Sequence, residues 1–329
     1  MPKIDFEPKL DFDQVLIRPK RSELNSRNEV DLTRTIRFKN GASWTGVPII
    51  AANMSTTGTF EIYKELSKHK IITALHKFYK PEDFKQFVSV SGQMNPEYFM
   101  VSTGISDSDF KNLCDITNSI DCKWICIDIA NAYSDRVVNM INFIRSKNAY
   151  IDIIVGNVAT ASAALFLAKH GASAIKVGIG PGSVCTTRRM TGFGVPQLTA
   201  VRMVKMGLME YKYSDIPVIA DGGIKSSGDI VKALWAGAST IMTGKLFAGC
   251  KEANDPNLYR GMASNSARQV LLNDGDVNTD LENLLKILKD TTSIDCSFSP
   301  SAYEGQTLRT HVLVDHGNFK SLVHESEAL

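Results

Sequence analysis

Eight short apolar bursts punctuate the chain, at 47–53, 71–75, 98–103, 123–128, 151–157, 174–177, 216–220 and 240–243. Each ends in small or polar residues, the pattern of a strand buried on both faces of a parallel sheet. One helix-like segment falls between each pair of neighbours, at 60–67, 81–89, 106–118, 134–145, 161–170, 196–209 and 227–236. Strand and helix in strict alternation imply parallel strands joined by right-handed crossovers. Eight such units predict an α/β fold closed as a (β/α)8 TIM barrel. An open doubly wound sheet is the other arrangement this alternation allows. Its first strand-to-helix turn would carry a G-x-G-x-x-G fingerprint, and Ala52-Asn53-Met54-Ser55-Thr56-Thr57-Gly58 does not. At 329 residues and 43% hydrophobic content, the chain can bury two modest cores or one large one, and it is the eightfold alternation that favours a single barrel domain over 1–329.

Outside the alternation, residues 11–40, with Arg18, Lys20 and Arg21 beside Pro19, suggest a mostly solvated N-terminal arm. Residues 264–305, polar around one amphipathic helix at 281–288, suggest a flap or lid excursion. Lys and Arg number 37 against 35 Asp and Glu, and a net charge of +2 gives no reason to expect a nucleic-acid or membrane partner. Six cysteines without short paired spacings point to reduced thiols and a cytoplasmic setting rather than a disulfide framework. Cys122 and Cys126 flank Trp124 in a strand-like run, and His311, Asp315 and His316 cluster near the end, but neither spacing favours a metal site. The start, Met1-Pro2-Lys3-Ile4-Asp5, is charged where a signal peptide is apolar, and no apolar run reaches membrane-spanning length.

The chemistry-bearing residues collect after the predicted strands, where barrel active sites lie. After Val177 the chain reads GIGPGSVCTTRR, a glycine-rich loop holding one thiol, Cys185. Hydroxyls from Ser183, Thr186 and Thr187 and charge from Arg188 and Arg189 surround it in sequence. Positive charge favours thiolate, so Cys185 is a candidate nucleophile, the alternative being an inert thiol in a turn. Asp221-Gly222-Gly223 and Gly244-Lys245 follow the last two predicted strands, where backbone N–H groups unobstructed by Cβ can approach a phosphate. With Ser183 adding a hydroxyl and Asp221 accepting from a ribose diol, they read as a nucleotide monophosphate site; otherwise they only make tight turns. Lys77 and Asp128 would face the same mouth, or be ordinary exposed charges.

GIGPGSVCTTR followed by TGFGVPQL, together with GVPIIAANM, His76-Lys77, GNVAT, ADGGI and YRGM, resembles the IMP dehydrogenase and GMP reductase family over residues 9–264. KLDFDQVLIRPKRS, SRNEVDLTR and VSTGISDSDF resemble the reductase branch, and the short run between the second and third strands leaves no room for a CBS insertion. The resemblance implies reductive deamination of GMP to IMP and ammonia with NADPH, through a covalent Cys185 adduct at purine C2. By position in the motifs, Thr187 and Glu304 would deliver protons, with Lys77 and Asp128 completing the catalytic set. Asn157, Ser183, Asp221, Gly222, Gly223, Gly244, Lys245, Met262 and Ala263 would hold the nucleotide. Lys77, Thr103, Asp128, Ala130 and Asn131 would face the nicotinamide. Carbonyls of Gly180, Gly182 and Cys185 match a loop that holds a monovalent cation such as K+, and the family implies a homotetramer. Departures from the branch are Ser55 after Asn53-Met54, Ala132 where the pattern has glycine, Lys245 for glycine, a longer run from Met262 to Glu304, Ser301 and Tyr303 where an arginine and a serine precede the glutamate, and an ending without a GGLRS-type stretch. These leave three other readings: the same chemistry on another 2-aminopurine nucleotide such as dGMP, an IMP dehydrogenase, or a purine nucleotide-binding homologue without turnover.

Overall fold

The computed structural model describes residues 7–38, 41–185 and 187–253, with two short strands at 304–306 and 314–315. Three strands precede the barrel: β1 (Leu16–Ile17), β2 (Arg34–Arg37) and β3 (Ser43–Gly46). The barrel strands are β4 (Ile49–Ala51), β5 (Ile72–Leu75), β6 (Phe99–Thr103), β7 (Trp124–Asp128), β8 (Asp152–Val158), β9 (Ala174–Val177), β10 (Val218–Asp221) and β11 (Thr240–Thr243). Neighbours pair in parallel in chain order, and β11 returns to β4 through Ile241 and Ile49, so the sheet closes. The expected (β/α)8 barrel is therefore present, and the open sheet is excluded. Its helices are α1 (Phe60–Leu66), α2 (Pro81–Ser91), α3 (Asp107–Thr117), α4 (Asp135–Lys147), α5 (Ala161–Lys169), α6 (Thr187–Thr191), α7 (Gln197–Glu210) and α8 (Ser227–Trp235). The side-chain hydroxyls of Thr59, Ser106, Ser134, Thr160 and Ser226 accept backbone amides at the starts of α1, α3, α4, α5 and α8, which fixes where those helices begin.

Alternation along each strand sorts the apolar residues into two layers. Ile49, Val101, Ile125, Ile153, Ile175, Val218 and Ile241 face the helices. Ile50, Ile72, Met100, Trp124, Ile154, Ile219 and Met242 fill the barrel. The antiparallel pair β2–β3 closes the amino end of this interior, placing Ile36 and Trp44 against the same inner cluster. Trp44 is 3% exposed, and its indole Nε1 donates to the Glu97 carbonyl at 3.0 Å, so a large ring is buried without orphaning its N–H.

The arm expected to be mostly solvated thus contributes to the core. Leu10, Phe12 and Val15 are buried as well as Ile36. The reason lies in pattern length, since β2 and β3 each carry one large apolar residue among polar ones, too short a run to show period-two alternation. Farther along, β12 (Glu304–Gln306) pairs antiparallel with β1, Gly305 opposite Ile17, and β13 (Val314–Asp315) pairs with β12. The backbone bearing Glu304 is therefore tied to the N-terminal arm. The rest of the expected flap, with Met262 and Ala263, lies outside the described residues, as do His311 and His316. Among the described residues, no helix is long and apolar enough to cross a membrane.

Candidate functional site

The inward positions at the carboxyl ends of β7 to β10 carry a polar cluster where the lower layers of the barrel are apolar. Asp128, Gly156 and Lys176 stand at one register level on three adjacent strands. A Cβ at Gly156 would run into the Cβ of Lys176 and lie 2.7 Å from its carbonyl oxygen, so the glycine opens the space between its neighbours. Lys176 is 1% exposed. Its ammonium donates to Asp128 Oδ1, to Asn157 Oδ1 and, at 2.6 Å, to Asp221 Oδ2. Asn157 Nδ2 donates in turn to Asp221 Oδ2 at 2.9 Å and to the Gly178 carbonyl at 2.6 Å.

A buried ammonium is tolerated only when paired. Burial alone would push the Lys176 pKa down, but the charges of Asp128 and Asp221 outweigh it, and the net shift is upward. Burial likewise pushes Asp128 up; Lys176 pulls harder, with a hydrogen bond from Asn53 and the more distant charge of Lys77 assisting, so the carboxyl ends below its ordinary range. Beneath them Cys126 is fully buried, and burial drives its thiol up to about 12. It stays protonated at neutral pH.

Cys185 sits in the long connection between β9 and α7. The strand ends at Val177, and Gly178 turns with φ +147°, where an added Cβ would strike the Asp221 carbonyl. The Cys185 amide donates to the Gly182 carbonyl at 3.0 Å, and its half-buried thiol donates to Thr187 Oγ1 at 3.2 Å. Thr187 opens α6, a short helix the glycine-rich sequence does not announce.

Of the two arginines expected to act on Cys185, Arg188 is directed elsewhere. Arg188 Nε donates to the Ile179 carbonyl at 3.0 Å and Nη2 to the Val195 carbonyl at 2.6 Å. Nη1 lies 3.5 Å from Asp11 Oδ2. The guanidinium is the brace around which the loop closes. Asp11 Oδ1 also accepts the Gln197 amide at 2.5 Å, and Gln197 Nε2 donates to the carbonyls of Val177 and Asp221 at 2.8 and 3.1 Å. The arm therefore holds both the thiol loop and the start of α7.

Gly222 and Gly223 follow β10 with φ of +83° and +81°. A Cβ on Gly222 would come within 3.1 Å of Pro181 and 3.2 Å of the Gly182 amide, so the expected phosphate loop packs directly against the thiol loop. Ser183 and Lys245 are exposed and Gly244 is buried. On the other side, Lys77 is exposed, Thr103 is buried with its hydroxyl donating to the Gly104 carbonyl at 3.3 Å, and Ala130 and Asn131 are exposed. Asn131 Oδ1 accepts the Tyr133 amide at 3.2 Å. The structure thus joins Asp128, Asn157 and Asp221 through one lysine and pairs Cys185 with Thr187. It leaves Lys77, Asn131, Ser183 and Lys245 on the surrounding loops.

Lys176, Asp11 and Gln197 are additional to the residues predicted from sequence. Lys176 had a signal, a charge inside the otherwise apolar strand Ala174-Ile175-Lys176-Val177. Asp11 had none, because its partners lie 177 and 186 positions away.

A closed barrel whose polar and thiol-bearing groups gather at the strands' carboxyl ends places this chain among the barrel proteins that bind ligands in those loops. A family model described as IMP dehydrogenase / GMP reductase domain matches residues 9–285. The chain is 44% identical to GMP reductase 2 of Bos taurus over 281 residues, covering 81% of this chain and 79% of the relative. It is 42% identical to a GMP reductase of Caenorhabditis elegans over the same length, covering 77% of that protein, and 44% identical to one of Buchnera aphidicola over 278 residues, covering 79%. The protein belongs to the IMP dehydrogenase / GMP reductase family.

Proposed function

We propose that this protein is a GMP reductase, an oxidoreductase that converts GMP to IMP and ammonia with NADPH. The observation that carries the reading is the Cys185 thiol beside the Thr187 hydroxyl at 3.2 Å, in a loop packed against Gly222. The nucleotide's 5′-phosphate lies among Ser183, Gly222, Gly223, Gly244 and Lys245, where backbone amides and one ammonium offset its charge. Lys176 and Asn157 already occupy Asp221 Oδ2, so Oδ1 is the oxygen that accepts from the ribose hydroxyls. Asn157, Met262 and Ala263 border the base.

Cys185 Sγ, as thiolate, bonds to purine C2, and the exocyclic amino group leaves as ammonia after taking a proton. Thr187, within hydrogen-bond reach of the sulfur, relays that proton with Glu304, whose backbone is anchored on the arm. Lys77, Thr103, Asp128, Ala130 and Asn131 would hold a reduced nicotinamide, which would supply hydride to C2. The C–S bond then breaks and returns the Cys185 thiolate. Asp128, kept ionised by Lys176, and cationic Lys77 fit a polar carboxamide ring that carries positive charge only in its oxidised state. A monovalent cation such as K+ would take the carbonyls of Gly180, Gly182 and Cys185; that of Gly182 keeps one lone pair free, the other accepting the Cys185 amide.

A single barrel domain over 1–329, with 264–305 as its lid, acts as a cytoplasmic homotetramer in this reading. Exposed Tyr133 and Phe193 beside the mouth suit subunit contacts, which light scattering tests. Ser301 and Tyr303 at the base-contacting flap favour a second reading, the same chemistry on dGMP or another 2-aminopurine nucleotide. A panel of such nucleotides with NADPH decides between them, and turnover confined to GMP removes the second.

A further inference from the structure

We infer that Lys176 is a positioning residue that joins the two halves of the mouth, fixing the ribose-side carboxylate of Asp221 and the nicotinamide-side carboxylate of Asp128 through one buried ammonium. The inference rests on the reductase reading for the identity of the two ligands; the arrangement itself stands on the geometry.

Asp128 and Asp221 extend β7 and β10, with β8 and β9 between them. Lys176 bonds to both carboxylates and to Asn157, which itself bonds to Asp221. Three features adapt the fold to this bridge. Gly156, level with Lys176 and Asp128, leaves the crossing space open. Asn157 takes the ammonium on Oδ1 and passes hydrogen bonds from Nδ2 to Asp221 and Gly178, tying the bridge to the start of the thiol loop. Cys126 beneath it is fully buried and its thiol stays protonated, so it adds no third negative charge to the two carboxylates.

Lys176 has no open side from which to touch either ligand, being 1% exposed. It must act through the carboxylates. Each carboxylate has one oxygen committed to the ammonium, Oδ1 of Asp128 and Oδ2 of Asp221, which fixes where the other oxygen points. Moving the ammonium therefore perturbs both ligand sites together, whereas a change in Ser183 or Lys245 perturbs the phosphate alone.

The test uses the full-length wild type, Lys176→Met and Lys176→Arg. IMP and NADP+ are titrated separately by calorimetry, and turnover is followed from pH 5.5 to 9. Wild-type binding of both ligands checks the reductase reading independently of the variants. For Lys176→Met, affinity for both ligands is expected to fall by about 10- to 100-fold, the scale seen when a support behind a liganding group is removed. Lys176→Arg is expected to recover part of both losses, because it keeps the cation and changes its reach. In the methionine variant the buried Asp128, facing Asn53, Asn157, Lys77, Asp221 and the Cys126 thiol, loses the charge that lowers it and keeps its proton to higher pH, so the acid limb of turnover moves upward. Should Lys176→Met fail to fold, Lys176→Arg must weaken both ligands. Wild-type affinity for either ligand in a folded variant overturns the inference, as does equal loss in both variants with an unmoved acid limb.

Discussion

The Cys185 thiol donates a hydrogen bond to the Thr187 hydroxyl across 3.2 Å, in a loop held shut by Arg188 rather than activated by it. Replacing Thr187 by valine keeps the side chain's volume and removes its oxygen. Turnover should fall by about 100-fold or more, the usual worth of a positioned proton-transfer group, while calorimetric affinity for IMP stays within about twofold. Equal losses in turnover and affinity would show Thr187 to be a binding residue instead.

Among the described residues, Asp11 is the one hydrogen-bonding partner of Arg188 from outside the thiol loop, and it caps the Gln197 amide at the start of α7. Asp11→Ala should lower stability by about 1 kcal/mol, the ordinary worth of a helix cap. It should also raise the rate at which Cys185 reacts with a small disulfide reagent, because the loop loses its outer anchor. Unchanged thiol reactivity at reduced stability would confine Asp11 to capping.

Stability should depend on pH in Lys176→Met across a range where the wild-type pair is silent. In the wild type Asp128 titrates below its unfolded value of 3.8, so its contribution is present above that pH and lost as pH falls through the folded value. Lys176 titrates above its unfolded value of 10.5, so its contribution is present below that pH and lost as pH rises through the folded value. The pair is therefore silent between. Without the ammonium, burial acts on Asp128 unopposed by Lys176 and raises it, so stability falls as pH rises through its new value. Melting temperatures at pH 5.5 and 7.5, taken as the difference between variant and wild type so that His76 and other groups cancel, should show the variant gaining on acidification. A constant difference would contradict the pairing.

Gly222 turns at φ +83°, a region that costs a residue with a Cβ about 1–2 kcal/mol, and its Cβ would press on Pro181 and the Gly182 amide. Gly222→Ala should cost at least that in urea denaturation and weaken IMP more than it weakens NADP+. Equal weakening would place the loop away from the nucleotide.

The barrel was legible in the sequence because parallel strands buried on both faces leave continuous apolar runs, and every barrel strand and the seven long helices fall within two residues of their expected bounds. The hairpin of Ile36 and Trp44 was not legible, since one apolar residue per strand leaves no period to detect. At the site, Cys185, Asp128 and Asp221 are legible from their places at strand ends and in the loops that follow, whereas Asn157 comes from the family resemblance alone. Arg188 lies beside the thiol in sequence, but sequence proximity carries no direction, and its guanidinium turns to Ile179 and Val195. Lys176 is hidden in an apolar strand, yet a lysine among Ala174, Ile175 and Val177 has to find buried carboxylates or leave the core.

The most direct test of the reductase reading is absorbance at the reduced-nicotinamide band with GMP and NADPH, run beside Cys185→Ala and with ammonia measured in parallel. A GMP reductase should lose absorbance matched one to one by ammonia in the wild type and show neither in the variant, which still binds IMP. Turnover surviving in Cys185→Ala, or a wild type that binds GMP and NADPH and releases no ammonia, would contradict that reading.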